Sequence, residues 1–279
     1  MNAAAAPALP PTDRLRPLAE LAPGRLAGLR GVLTDIDDTL TRDGAIEPEA
    51  LAALHALADA GLPVIAITGR PAGWSDPMVR AWPVRAVVAE NGAVLLRRGP
   101  GGPRDALRLD FTVDAATRAA NLRRLQACAA DILAHVPGAT LAEDSAGRLT
   151  DIAVDHSEFR HLDEAAIAAV VALMHTHGLT ATVSSIHVNG WIGAHNKLSA
   201  AHWAVPACLG VAFVPAEWVY VGDSTNDQLM FGQLPLTVGV ANVARFVPVM
   251  QALPGWVTTA DRGRGFAELA GALLQARAS

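Results

Sequence analysis

The stretch V-L-T-D-I-D-D-T-L-T at residues 32–41 decides the reading of this chain. An apolar run breaks into three carboxylates within four residues, Asp35, Asp37 and Asp38. Like charges this close repel, and an acidic cluster at the end of a buried strand is a poor choice for stability alone. Side chains alternate along an extended chain, so Asp35 and Asp37 face the same way. Two other apolar strands also end in polar groups: L-P-V-I-A-I-T at 62–68 ends in Thr68, and W-V-Y-V-G-D at 218–223 ends in Asp223. Ligands of open parallel sheets bind beyond the carboxyl ends of the strands. Three such endings on one rim mark a site.

Working outward, a helix is expected over 48–60, with Leu51, Leu54 and Leu57 at helical spacing and Gly61 as its stop. A short helix around Met78 leads to one further strand, V-R-A-V-V-A-E-N-G-A-V at 84–94. Strands that are apolar throughout and alternate with helices predict an α/β core, a Rossmann-like doubly wound parallel sheet covered on both faces. The middle of the chain reads differently. A long helix at 114–136, strands at 139–144 and 148–155, a helix at 163–177 and two more strands predict an α+β unit inserted into the core, because tandem strands pair antiparallel. From Lys197 the α/β rhythm returns, with a helix at 197–209. The expected division is a loose tail with a short amphipathic turn (Leu15, Leu18, Leu21) at 1–28, a core of 29–91 and 190–279, and an insert of 92–189.

At 279 residues, 51% hydrophobic and 18% charged, the chain can bury a substantial core. A net charge of −5 argues against nucleic-acid or acidic-membrane binding through a basic face. The two cysteines, Cys128 and Cys208, lack C-x-x-C spacing and are expected to be free thiols. The Ala- and Pro-rich N-terminus has no basic leader, and no apolar run is long enough to span a bilayer. A cytoplasmic monomer or homodimer is the expectation.

A cluster of acids becomes favourable around a divalent cation. Hard oxygen ligands suit Mg²⁺, which takes one or two carboxylates together with waters and a substrate phosphate. Asp35 and Asp223 can supply the carboxylates, Lys197 a second positive charge and Thr68 a hydroxyl for a phosphate oxygen.

D-I-D-D-T at 35–39, Thr68 in I-T-G-R, Lys197, and G-D-S-T-N-D at 222–227 resemble the four ordered motifs of the haloacid dehalogenase superfamily. The position of the insert and A-E-N-G-A at 89–93 resemble its capped phosphatases of subclass IIB. The resemblance implies roles. Asp35 would be the nucleophile that becomes an aspartyl-phosphate, and Asp37 the general acid and base. Thr68, Gly69, Lys197 and Asn226 would surround the phosphoryl group. Asp35, the Asp37 carbonyl and Asp223 would hold Mg²⁺, with Asp227 supporting them. Asp38 reads as a turn residue. The cap would read the leaving group, with Asn91, Asp155, His156 and His187 as candidate substrate contacts, each also explicable as structural; Asn189 is a further polar residue on the same cap strands. The expected activity is a Mg²⁺-dependent phosphatase acting on a small phosphorylated metabolite, best a sugar phosphate. A phosphomutase is the alternative, and a phosphoryl-signalling module or a phosphate-ester binding protein lies further off.

Overall fold

The structure is a computed structural model that describes residues 15–99 and 106–278. Its strands are β1 (Gly31–Thr34), β2 (Thr41–Arg42), β3 (Ala45–Ile46), β4 (Val64–Ile67), β5 (Ala86–Ala89), β6 (Val94–Arg98), β7 (Leu107–Phe111), β8 (Thr140–Leu141), β9 (Asp151–Asp155), β10 (Thr180–Val183), β11 (His187–Trp191), β12 (Trp218–Gly222), β13 (Thr237–Gly239) and β14 (Trp256–Val257). Its α-helices are α1 (Gly24–Ala27), α2 (Pro48–Asp59), α3 (Ala72–Ala81), α4 (Ala115–His135), α5 (Glu164–Thr176), α6 (Lys197–Leu209), α7 (Gln228–Gln233) and α8 (Arg262–Ala278).

Eight strands form one sheet in the order β14-β13-β12-β1-β4-β5-β6-β7. The first six are parallel; β6 and β7 are antiparallel additions. Alternation along each strand serves two faces. Val32, Val64, Val87 and Val219 pack with Leu54, Leu57, Phe266 and Leu269, from α2 and α8. Leu33, Ile65, Val88, Trp218 and Tyr220 point the other way, onto the small side chains Ala200, Ala201 and Ala204 of α6. Each fully buried leucine among these contributes about 1.5–3 kcal/mol. The register sets the site. Thr34 lies beside Val221 on one flank and Ala66 on the other, so Asp35, Thr68 and Asp223 emerge at one rim.

The second sheet, in the order β10-β11-β9-β8, is antiparallel. Ile152, Val154 and Val188 turn toward α4 and α5, meeting Leu125, Ile132, Val170 and Met174. The alternate residues, including Asp151, His187 and Asn189, occupy the opposite face. Asp114 and Asp163 cap the two helices, accepting from Thr117 and Ala166 backbone N–H at 2.8 Å each.

Four expectations differ from this architecture. The single strand at 84–94 is a hairpin. Glu90, Asn91 and Gly92 all have positive φ (52°, 56° and 113°), which reverses the chain and sends β6 back along β5. A Cβ on Gly92 would meet the Asn196 carbonyl oxygen at 2.6 Å, so the turn requires glycine. β6 and β7 therefore extend the large sheet, and β11 at 187–191 belongs to the small one; the passage between the sheets falls later at both ends than expected. The stretch 139–144 is a two-residue strand followed by a 3₁₀ turn, Glu143–Gly147. The amphipathic turn expected at Leu15, Leu18 and Leu21 is buried as its pattern implies, but the segment is tied down further than a loose tail: Leu26 is buried too, and Val257 N–H donates to the Arg16 carbonyl. The rest of the expected tail, 1–14, lies outside the described residues.

Candidate active site

Asp35 directly follows β1, and Lys197 opens α6, whose N-terminus is held by a capping box between Asn196 and Ser199. The two side chains meet although 162 residues apart: Lys197 Nζ lies 2.6 Å from Asp35 Oδ1 and 2.5 Å from Asp227 Oδ1. Nζ also reaches Asn226 Oδ1 and the Tyr220 hydroxyl, each at 3.3 Å. Asp227 is fully engaged. Its Oδ1 also accepts from the Tyr220 hydroxyl, and its Oδ2 accepts from the backbone N–H of Asp223 (2.9 Å) and Ser224 (3.0 Å). A Cβ on Gly222 would sit 2.5 Å from the Asp227 carboxylate, so glycine there gives this acid its room.

Asp223 Oδ2 accepts from Asn242 (3.1 Å) and Arg245 (3.2 Å). Its Oδ1 is buried with no hydrogen-bond partner among the described residues. Oxygens of Asp35, Asp223 and Asp227 lie within 4.8 Å of one another. Burial raises Asp35 from 3.8 to about 8, against the opposing pull of Lys197. Burial, reinforced by Asp227 and Asp35, also pushes Asp223 well up. An orphaned buried oxygen within a repelling acidic group fits a divalent cation. Asp35 and Asp223 are placed to ligate it, and Asp227 to hold Lys197 and the loop at 223–224.

Asp37 carries a different partner. Arg70 Nε donates to both its oxygens, at 3.0 and 3.1 Å. Burial raises the Asp37 carboxyl above its ordinary value, with Arg70 opposing. Thr68 Oγ1 accepts from Arg70 N–H at 3.0 Å. Asp38 takes φ 55°, the turn conformation expected, and pairs with Arg262 (2.7 Å) and Arg245 (2.8 Å). Burial would raise its carboxyl, but the two arginines outweigh that and hold it low.

Over these residues, Gly69, Arg70, Ser185, His187, Asn189 and Asn226 help to enclose a cavity of only about 10 Å³. That is room for about one water. A cleft of about 780 Å³ opens on the far side of Asp37, between Asp38, Arg245 and Arg262 and the small sheet's loop at 156–164. Arg70 and Ser184 to Ile186 border both spaces.

The candidate substrate contacts separate. His187 borders the small cavity and bonds Glu158 at 2.8 Å. His156 borders the large cleft, but Ser157 and the Ser184 carbonyl occupy its two nitrogens. Asp155 is not brought into the site. Its carboxylate accepts from four backbone N–H groups, those of residues 157–160, and shapes that loop. Asn91 sits near Gly69 and donates to Asp151 at 3.3 Å. Asn189, 1% exposed, has its Oδ1 buried without a partner among the described residues.

Several residues at the site escaped sequence reading: Arg70, Tyr220, Asn242 and Arg245 in the core, and Asp144 and Glu158 in the insert. Arg70 stands in the quoted I-T-G-R, and Tyr220 is the chain's only tyrosine, placed in an otherwise apolar strand. Those were the available signals.

Comparison with known proteins bears on the fold and on the first part of the chain. Residues 32–100, which carry the first two motifs, match the family of haloacid dehalogenase-like hydrolases. No curated protein matches the chain. Among solved structures, one from Thermoplasma acidophilum is similar at 17% identity and TM-score 0.66, covering 88% of this chain and 98% of its own. The C-terminal domain of the trehalose-6-phosphate phosphatase of C. albicans is similar at 14% identity and TM-score 0.64, covering 94% and 99%. The sucrose-phosphatase of Synechocystis, solved with sucrose and phosphate, is similar at 15% identity and TM-score 0.57, covering 88% and 98%. The family match rests on residues 32–100, and the fold over 88% of the chain is that of the first of these structures. Both cysteines are free, and no helix among the described residues is long and apolar enough to cross a membrane.

Proposed function

We propose that this protein is a Mg²⁺-dependent phosphatase that hydrolyses a small phosphorylated metabolite, best a sugar phosphate, through an aspartyl-phosphate. The observation that carries the reading is the meeting of Asp35, Lys197 and Asp223 at one strand rim around an orphaned Asp223 oxygen. Asp35, Asp223 and the Asp37 carbonyl would hold Mg²⁺, which when bound would supply positive charge against the phosphate.

In the first step an Asp35 oxygen attacks phosphorus and the bond from phosphorus to the ester oxygen breaks. The departing oxygen takes the proton of the Asp37 carboxyl, which burial raises toward its protonated form. In the second step Asp37 accepts a proton from water, whose oxygen attacks phosphorus; phosphate leaves and Asp35 is regenerated. Lys197, Thr68, Gly69 and Asn226 surround the transferring group, where positioning and charge neutralisation do most of the catalysis. The inserted unit acts as a cap. Its polar face, with His187 and Asn189, supports a leaving group rich in hydroxyls. The similar structures named as trehalose-6-phosphate phosphatase and sucrose-phosphatase support the same substrate class.

The test is phosphate release from a panel of sugar phosphates, phosphorylated sugar acids and nucleotides, with Mg²⁺, with EDTA, and with Asp35→Asn. Release that requires Mg²⁺ and vanishes in Asp35→Asn is expected. Release that persists in EDTA or in the variant would overturn the assignment.

A further inference from the structure

We propose that Arg70 is a positioning residue that makes proton delivery by Asp37 conditional on cap closure. The inference rests on the phosphatase reading above and goes beyond it.

Arg70 is 4% exposed and joins the two units. Its Nε edge holds Asp37. Nη2 is shared, 3.0 Å from Asp37 Oδ1 and 2.6 Å from Glu158 Oε1, while Nη1 belongs to the cap, reaching Glu158 Oε2 at 3.2 Å and Asp144 Oδ2 at 3.1 Å. Glu158 is held in turn by His187. The guanidinium also lies over the Trp74 ring, 4.6 Å from its centroid. A planar fork held on both edges has one orientation, and bidentate pairing carries geometric specificity that a point charge lacks.

The same residue borders both the small cavity over Asp35 and the large cleft. The small cavity cannot admit a phosphate ester, so substrate entry needs the cap to move away. That movement takes Asp144 and Glu158 off Arg70 and leaves the guanidinium held by Asp37 and the indole alone. Closure over substrate restores the cap pairs and returns the Asp37 carboxyl to one orientation. Proton delivery is thereby confined to the closed, water-excluding form. Proton transfer by a well-placed general acid is worth about 10²–10⁴-fold, so its positioning is a large lever.

The test uses the full chain with Mg²⁺ and two probes of similar shape, phenyl phosphate and 4-nitrophenyl phosphate. Phenol is the more basic leaving group and needs the proton; 4-nitrophenol departs without it. The readout is kcat/KM, which reports steps up to leaving-group departure and excludes hydrolysis of the aspartyl-phosphate. Arg70→Met is expected to lower kcat/KM for phenyl phosphate about 10²-fold and for 4-nitrophenyl phosphate under about 5-fold. Glu158→Gln, isosteric and on the cap, is expected to show the same selectivity at about 10-fold. The double variant should be no worse than Arg70→Met, because the two residues act as a unit. Equal losses on both esters, or no effect of Glu158→Gln on either, would overturn the proposal while leaving the phosphatase reading intact. Failure of the parent protein on every ester would overturn the reading itself and the proposal with it.

Discussion

Replacing Lys197 by Met is the sharpest perturbation of the site. Nζ lies 2.6 and 2.5 Å from two buried carboxylates, and a third, Asp223, shares their cluster. Met keeps the volume and removes the charge. Breaking a buried ion pair by removing one partner costs about 3–5 kcal/mol, because the remaining charge is left uncompensated. Partial protonation of Asp35 and Asp223, already raised by burial, keeps the cost toward the lower end. At about 2–4 °C per kcal/mol for a domain of this size, Tm in EDTA should fall by at least about 6 °C. Mg²⁺ brings two positive charges into the same acids, so it should raise the Tm of Lys197→Met more than that of the parent. Activity should fall about 10²–10³-fold even with Mg²⁺, the usual effect of losing a donor to a transferring group. Thermal melts in EDTA and in Mg²⁺, with phosphate release alongside, make the measurement. A variant that melts with the parent in EDTA and gains no more from Mg²⁺ would refute the reasoning.

Further outcomes follow from single groups. Asp223→Asn keeps the acceptor for Asn242 and Arg245 and removes one of three repelling acids, so the metal-free Tm should not fall; the rise in Tm on adding Mg²⁺ should disappear, and an undiminished rise would remove Asp223 from the metal site. Asn189→Ala deletes a buried unpaired oxygen, whose burial costs about 1–3 kcal/mol, so stability should hold while KM for the best substrate rises about 10-fold or more. A fall in Tm with KM unchanged would mark Asn189 as structural. His195 is held to about 4 by burial, and its Nε2 has no partner among the described residues. The folded form therefore resists the proton that the unfolded chain binds below about 6.5. Its stabilising effect is complete above that pH and is lost as pH falls toward 4. After discounting for partial exposure the loss is about 1–2 kcal/mol, which His195→Gln should abolish in urea unfolding at pH 7.5 and 5; equal pH dependence in both proteins would contradict it.

Much of the core was written in local pattern. The apolar strands at β1, β4 and β12, and the polar residues that end them, follow from alternation and strand-end chemistry, which are properties of a few neighbouring residues. A turn at 90–92 was also legible, since Asn-Gly is a strong turn signal, but that the chain returns along β5 instead of entering the insert there is a matter of sheet pairing. Asp155 misleads for the opposite reason. A carboxylate at a strand end looks like a ligand until its acceptor sites are found filled by the loop that follows.

The sequence by itself determined the chemical inventory: a carboxylate pair two residues apart, a hydroxyl, a lysine and a further acidic loop, in an order that the strand pattern carries to one rim. Tertiary structure alone decided what each group touches. Lys197 bridges Asp35 and Asp227 across 162 and 30 residues, and Arg70 reaches Asp144 and Glu158 across 74 and 88. The lysine pairings depend on how α6 packs against the large sheet, and the arginine pairings on how the second sheet seats on the first. Local propensity acts over a few residues, whereas the charge state and orientation of a buried acid are set by every group packed against it, wherever that group lies in the chain.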